Sequence, residues 1–553
     1  MKKLSIFLIA FSVAVGGCKK QLDVKNPNEP TPDASANEQG IISLAQGGVY
    51  INGFKTLKYG DGVFGLFWSG AMGFHEMLGD VIGVEAANAF CNQIGCPDKV
   101  TLDNLSVVIN PNNPNKWYTF LRNTANQNDQ QGSNFIYYEW SYMYNMIYAC
   151  NSILDLIPKV SFSGNGATKA ATMKAWAHFW KGYAYSHIGS IYYAGLVNNS
   201  ADGTTNGNYV TKEAIITEAN AQLDNAITDL GQATSAADYN AVIGKLIPSF
   251  CQAGLGNPPS TAEWIRTINT LKARNILVNK TVSTMTATEW NAILTLTNNG
   301  VQQGDNIFTG RTTATGDFLP ASSSTVAFKI QSSAPGGATY KLSERWVQDF
   351  NPLDRRYLNN VKSGTTWIGN SDRGNAFNTR YTLWNGGNGY SGTYVYANTS
   401  PGAFELALAS TYEENALMKA EATMFAASFS PASIATAMGL IDAVRTYMGA
   451  FGSGLPNATL ITTQAPALLA LYKERRVALA FRGLSFYDYR RLKISEPASG
   501  GGGRPGCVVV ANSGAVNVNA FIEYGYLDYW DVPDNELAYN PNTGSTVTKN
   551  PKQ

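Results

Sequence analysis

LYKERRVALAFRGLSFYDYRRLK, residues 471–493, sets Arg475, Arg476, Arg482, Arg490 and Arg491 among leucine, valine, phenylalanine and tyrosine. A nucleic-acid arm, a membrane-surface helix and a buried lattice of ion pairs share that look. The rest of the chain separates them. Its 553 residues carry 41 basic and 40 acidic side chains, a formal charge of +1. A polyanion partner normally leaves a strongly basic domain, so no nucleic-acid partner is expected. Charged residues make up 15%, below the usual roughly 25%. Aromatics make up 12%, with 29 Tyr and 11 Trp. A neutral surface rich in flat rings, amides and hydroxyls suits uncharged polar ligands, sugars above all, better than phosphates.

On a helix, Leu468, Tyr472, Arg475 or Arg476, Leu479 and Gly483 fall on one stripe. An arginine therefore lies on the buried face. Its planar fork can take two carboxylate oxygens at once, which makes it the cation suited to a buried pair. The stretch is expected to hold the fold together rather than to touch a ligand.

The chain begins with a basic MKK and an apolar run, LSIFLIAFSVAV, of about 12 residues, too short to span a bilayer as a mature helix. Val15-Gly16-Gly17-Cys18 follows. Small residues directly before a cysteine resemble a bacterial lipobox, so residues 1–17 are expected to be a lipoprotein signal peptide and Cys18 the lipidated N-terminus. Residues 18–39 are polar and proline-bearing without periodicity, as in a flexible tether. No later stretch has 18 uninterrupted apolar residues, so lipid is the expected anchor. Five further cysteines remain, of which Cys91 and Cys96 lie close enough in CNQIGC to bridge after export. No cysteine–histidine spacing fits a zinc site, and neither a metal nor a cofactor is expected.

Residues 40–553 read as one mostly α domain. Three- and four-residue apolar steps predict helices over 141–159, 171–195, 211–231 and 261–280, and again over 404–427, 431–449 and the opening stretch. Small residues recur at close-packing positions, so the helices read as tetratricopeptide-like pairs of irregular spacing. Trp140, Trp176 and Trp180 have helical spacing and belong to the core. The scaffold thus covers about 40–296 and 404–493. Between them, 297–403 is rich in Gly, Asn and Thr with short β-prone runs, the composition of ligand-bearing loops and small hairpins. A Gly-rich break and a closing hairpin end the chain.

No nucleophile elbow, P-loop, zinc-protease or dinucleotide fingerprint is present. Glu413 and Glu414 are sequence neighbours pointing about 100° apart on a helix, so they cannot flank one glycosidic bond. With Glu421 on the same helix they read as structural ion-pair partners. His75-Glu76 lacks a nucleophile, and His178 and His187 sit on an aromatic helix as core or edge residues. A ligand platform would draw on loop residues instead: Asn113, Asn115, Trp117 and Tyr118 in NPNNPNKWYTF, and Trp367, Trp384, Asn385 and Tyr390 in the second loop region. Tryptophan and tyrosine offer large flat surfaces at low entropic cost, and asparagine both donates and accepts.

Five pieces in order resemble the SusD/RagB family of outer-membrane lipoproteins: KAWAHFWKGYAYSHIGSIYYAGLV, YEENALMKAEA at 412–422, IDAVRTYMG at 441–449, YKERRVALAFRGLSFYDYRRLK, and YWDVPDNELAYNPN at 529–542. The family's glutamates after the paired arginines and before the glycine are here Ala478 and Arg482. The resemblance implies a SusD-like fold. It also implies that Arg475 or Arg476 pairs with Glu413, Glu414 or Glu421. In function it implies a non-catalytic glycan-binding, sometimes peptide-binding, lipoprotein. Such a protein sits outside the cell on the outer membrane and delivers polysaccharide or oligosaccharide to a SusC-like TonB-dependent transporter. Two alternatives stay open. A surface glycoside hydrolase would need two carboxyl groups about 5–10 Å apart. A protein-assembly or peptide-binding lipoprotein would show no glycan affinity.

Cys18→Ala is expected to leave the precursor uncleaved and without acyl chains. Intact mass and membrane fractionation of cells lacking any transporter check this; outer-membrane retention of the variant would refute it.

Overall fold

The structure is a computed structural model that describes residues 36–51, 72–84, 95–110, 121–130, 134–204, 206–311, 340–368, 375–398, 400, 402–452 and 454–552. Cys18, Cys91, Asn113, Asn115, Trp117 and Tyr118 lie outside these residues, so the expected lipid anchor, the Cys91–Cys96 bridge and the first loop platform do too.

Helices dominate. In chain order they are α1 (Glu38–Ala45), α2 (Met72–Leu78), α3 (Phe135–Leu156), α4 (Gly166–Ile191), α5 (Lys212–Gln232), α6 (Ala236–Leu246), α7 (Thr261–Val278) and α8 (Ala287–Asn298). They continue with α9 (Glu344–Val347), α10 (Arg355–Asn360), α11 (Tyr412–Ala426), α12 (Pro431–Tyr447), α13 (Gln464–Ala478), α14 (Ser485–Arg491) and α15 (Asp534–Tyr539). The last residues of the expected tether already belong to a helix: Asn37 caps α1 by accepting the Gly40 N–H at 2.9 Å, and Glu38 pairs with Lys169 at 2.7 Å.

Consecutive helices pack as pairs, α3 on α4, α4 on α5, α7 on α8 and α11 on α12. The α4–α5 pair owes its close approach to glycine. A Cβ on Gly182 would sit 2.8 Å from Leu223, and one on Gly189 would sit 2.9 Å from Ile216. Both glycines and both apolar partners are seven residues apart, two turns, in opposite chain order. That is the seam of an antiparallel pair. Trp176, Phe179 and Trp180 point from α4 into a cluster with Tyr50, Trp264 and Phe308; ring centroids are 5.0–6.2 Å apart and every ring is buried.

The strands are short and antiparallel. β1 (Ile82–Val84) pairs with β7 (Tyr340–Leu342), β4 (Ala194–Gly195) with β5 (Val210–Thr211), β6 (Thr309–Arg311) with β10 (Glu405–Ala407), and β8 (Val361–Ile368) with β9 (Thr379–Leu383). The closing hairpin β11 (Arg504–Val510) and β12 (Val516–Glu523) extends through β2 (Lys99–Thr101) to β3 (Val107–Ile109) in one four-stranded sheet. The region 297–403 therefore holds β6–β9 and two short helices as well as loops.

The arginine-rich stretch is not one helix. α13 stops at Ala478, and Phe481 (φ 63°) and Gly483 (φ 73°) turn the chain back into α14. Gly483 therefore leaves the stripe that helical spacing assigned to it. A left-handed phenylalanine costs roughly 1–2 kcal/mol, and Glu76 holds it there. Its buried carboxyl accepts the backbone N–H groups of Phe481, Gly483 and Leu484 at 2.9, 2.8 and 3.2 Å. Burial pushes that carboxyl above the usual range despite these bonds. The end of α13 is sealed as well: Trp346 Nε1 donates to the Arg476 carbonyl at 3.0 Å and the Tyr396 hydroxyl to that of Val477 at 2.7 Å. Both would otherwise be unsatisfied inside the protein.

This turn decides the ion pairs. Arg475 and Arg476 are both buried, point about 100° apart on α13, and take aspartates rather than the three glutamates expected. Arg475 Nε lies 2.9 Å from Asp488 and Arg476 Nε 2.6 Å from Asp349. Glu413, Glu414 and Glu421 instead take Arg482 at 3.0 Å, Arg274 at 2.5 Å and Arg491 at 2.6 Å. The adjacent Glu413 and Glu414 reach different arginines, as their angular separation on α11 requires. Asp488 bridges Arg475 to Arg491, whose Nε lies 2.7 Å away, and Arg491 grips Glu421 with both Nη atoms at 2.6 and 2.9 Å. Arg490 uses backbone instead. It donates to the carbonyls of Ser190 and Val278 at 2.5 and 2.6 Å, capping the C-terminal ends of α4 and α7 together.

All three histidines sit on carboxylates. His178 meets Asp229 at 2.7 Å. Glu139 takes His75 Nε2 at 2.7 Å and His187 Nδ1 at 2.8 Å, tying α2 and α4 to α3. Burial alone would raise the Glu139 carboxyl, but the two imidazoles hold it down at about 2.

Two outcomes follow for stability. Arg491→Ala strands Glu421 in the interior and leaves Asp488 with Arg475 alone, and should cost about 3–5 kcal/mol, against under about 0.5 kcal/mol for an exposed control such as Lys245→Ala; denaturant titration compares them. The Glu139 contribution is complete above the unfolded glutamate value near 4.3 and is lost as pH falls toward 2. The melting temperature should drop across that window, and Glu139→Gln should flatten the drop while lowering stability at neutral pH.

Candidate ligand-binding cleft

A cleft of about 430 Å³ opens where β6 and β10 meet the first turn of α11 and the last turn of α12. Its volume falls in the range of small-molecule sites, roughly 300–1,000 Å³. Tyr394, Phe404, Tyr412 and Tyr447 supply the rings of its wall. Tyr412 and Tyr447 meet edge to face with centroids 5.1 Å apart. Each is placed by helix geometry: Tyr412 opens α11 just after its cap Thr411, and Tyr447 closes α12. Both rings are half-buried. Among the described residues neither hydroxyl has a hydrogen-bond partner, so both are free to donate and accept. Burial pushes the Tyr447 hydroxyl up to about 12, which keeps it protonated.

The back of the cleft is an ion pair. Arg482, which replaces the glutamate of the family pattern, leaves the turn after α13 and reaches Glu413 at 3.0 Å, Thr411 Oγ1 at 2.9 Å and the Tyr394 hydroxyl at 3.5 Å. Its guanidinium also lies 5.7 Å from the Tyr394 ring centroid. Burial would raise the Glu413 carboxyl, and Arg482 beside it keeps it below the usual carboxylate range. On the rim, Asp305 is gripped by Arg266 at 2.6 and 2.7 Å. Glu405 faces Arg311 at 3.3 Å and accepts the Gly256 N–H at 2.8 Å. Every carboxylate of the lining thus has its own guanidinium.

No protein-family model and no curated protein matches the chain. Solved structures do. NanU of Bacteroides fragilis matches with a TM-score of 0.52 at 11% identity, over 95% of this chain and 100% of that one. A SusD homolog from Bacteroides thetaiotaomicron matches at 0.51 with 15% identity, over 83% and 88%. A SusD-like carbohydrate binding protein from Bacteroides fragilis matches at 0.50 with 14% identity, over 86% and 98%. The fold is that of the SusD superfamily.

Within this SusD-like fold three of the loop residues singled out in the sequence, Trp384, Asn385 and Tyr390, are not part of the cleft lining. Trp384 follows β9, half-buried, with the Lys362 ammonium 4.6 Å from its ring centroid. Asn385 is exposed, and Tyr390 is half-buried with Arg355 5.7 Å from its ring. The turn between them is rigid, because Asn359 Oδ1 accepts the N–H groups of Asn388 and Tyr390 at 2.8 and 3.1 Å. Trp367 lies on β8, and its side chain is outside the described residues. Trp384, Asn385 and Tyr390 do not line the cleft, although Gly392 and Thr393, just beyond Tyr390, do. The cleft tyrosines escaped sequence reasoning for a clear reason. Tyr412 falls inside the helix expected over 404–427 and Tyr447 near the end of the one over 431–449, and only packing of α11 beside α12 makes them a pair. Tyr394 stood in TYVYANTSPG, a loop without a motif.

Proposed function

We propose that the protein is a non-catalytic glycan-binding lipoprotein, and that the tyrosine cleft holds the sugar. The observation that carries this reading is a concave site in a SusD-like fold with three tyrosines, two of them with unengaged hydroxyls, and no uncompensated charge. A sugar ring has an apolar C–H face and a rim of hydroxyls. Tyr412 and Tyr447 offer a flat surface to the first and hydrogen bonds to the second, and Gln302 and Thr393 add polar groups at the edge. The names of the similar structures, one of them a carbohydrate binding protein, agree with this ligand class.

Binding without hydrolysis suits the same geometry. A glycosidase needs one carboxyl group that gives up a proton. The Glu413 carboxyl is held below the usual range by Arg482, and Asp305 and Glu405 are tied to guanidiniums. Anchoring through Cys18 would keep the site outside the outer membrane. Delivery to a SusC-like TonB-dependent transporter is the role such a surface binder would serve, with the helix pairs as the docking body. Asn113, Asn115, Trp117, Tyr118, Trp367, Trp384, Asn385 and Tyr390 remain a proposed second platform for a longer chain.

Calorimetry on the lipid-free protein against the best polysaccharide from a screen separates the two locations. Tyr412→Ala and Tyr447→Ala should each weaken binding roughly tenfold or more, if a stacked ring is worth about 1–3 kcal/mol as it is for nucleic-acid bases. Trp117→Ala and Trp384→Ala should weaken long chains only. Loss confined to the tryptophan variants would move the primary site to the loops, and release of reducing sugar would overturn the non-catalytic reading.

A further inference from the structure

The charges of the cleft go further than its rings. Its lining carries three carboxylates, Asp305, Glu405 and Glu413, and a single basic side chain among the described residues, Arg482. That guanidinium is already committed to Glu413, Thr411 and the Tyr394 hydroxyl. The cations that pair with the other two acids, Arg266 and Arg311, are not lining residues. Arg266 spends Nε and one Nη on Asp305. Arg311 faces Glu405 and donates to the Gly402 carbonyl at 2.8 Å. A ligand in the cleft therefore meets a lining with three acidic side chains and one basic one, beside its tyrosine hydroxyls. An acidic sugar would bring its own carboxylate or sulfate against that surface and would find no unengaged cation in the described lining to offset its lost hydration.

We infer that the cleft selects uncharged sugars and rejects uronate-, sialate- and sulfate-bearing ones, with Asp305 and Glu405 as the residues that set this selectivity. The inference rests on the glycan reading of the cleft and narrows it to one chemical class. Hydroxyl donors of a neutral sugar are satisfied by the same oxygens that repel an acid, so one set of residues does both.

A glycan array carrying neutral oligosaccharides beside uronate-, sialic-acid- and sulfate-bearing ones, probed with the lipid-free protein at low salt, is the direct test. Neutral glycans should bind, and their acidic counterparts should bind at least about tenfold more weakly, the effect of one unfavourable like-charge contact. The gap should narrow at high ionic strength. Glu405→Gln leaves Arg311 without its counter-charge and should also narrow the gap. Asp305→Asn should do the same through Arg266, and circular dichroism of both variants guards against misfolding. Equal binding of acidic and neutral glycans by the wild type, lost in Tyr412→Ala, would overturn the charge selectivity and leave the glycan reading intact. No glycan binding of either class would overturn both.

Discussion

Asp488 stands between two buried guanidiniums, those of Arg475 and Arg491, and Arg491 passes the connection on to Glu421. That chain of charges joins α13, α14 and α11 at one point, and each of its members is buried. Buried ion pairs are weak net stabilisers, because desolvation offsets most of their attraction. Their force lies in what they forbid. Any packing that separates the partners leaves a bare charge inside the protein, so the three helices have one acceptable arrangement. The same logic repeats at Arg476 with Asp349, at Arg345 with Asp80 at 2.8 Å, and at Arg356 with Glu474 at 2.6 Å.

The cleft is a by-product of that lattice. Arg482 leaves the turn that Glu76 holds closed, and it leaves in the direction of Glu413 because Phe481 and Gly483 adopt left-handed backbone. Its pairing fixes the first turn of α11, which carries Tyr412; α12 packs against α11 and brings Tyr447 alongside. A rigid framework beneath the tyrosines means that ligand binding pays little for ordering them. The second loop region, around Trp384 and Tyr390, is anchored by a different device, the Asn359 side chain acting as a backbone acceptor.

Much of this was legible one element at a time. Helical spacing placed α5, α7 and α12 within two residues of where they run and α3 and α4 within about six, but the helix expected over 404–427 starts only at Tyr412, because Glu405–Ala407 pair as β10 with β6; Trp140, Trp176 and Trp180 are fully buried in the core, as expected. The periodicity of 468–483 misled at its end. Apolar spacing continues through residues 479–483 while the backbone does not, because the carboxylate that stabilises the turn, Glu76, lies about four hundred residues earlier. Missing that turn also misassigned the partners of Arg475 and Arg476, since Asp488 reaches Arg475 only after the reversal.

The sequence by itself determined the class of the protein: helix pairs from three- and four-residue periodicity, closely packed where Gly182 and Gly189 remove side chains, and arginines whose apolar neighbours require burial. Those are local properties, written in spacing and residue type. Which carboxylate each arginine takes, and which aromatic side chains converge on a cleft, only the tertiary structure decided. Charges of one sign are interchangeable in a sequence. They become distinct when long-range packing brings one within hydrogen-bond reach and leaves the others several turns away. Tyr412 and Tyr447, 35 positions apart on two helices, form a binding wall for the same reason.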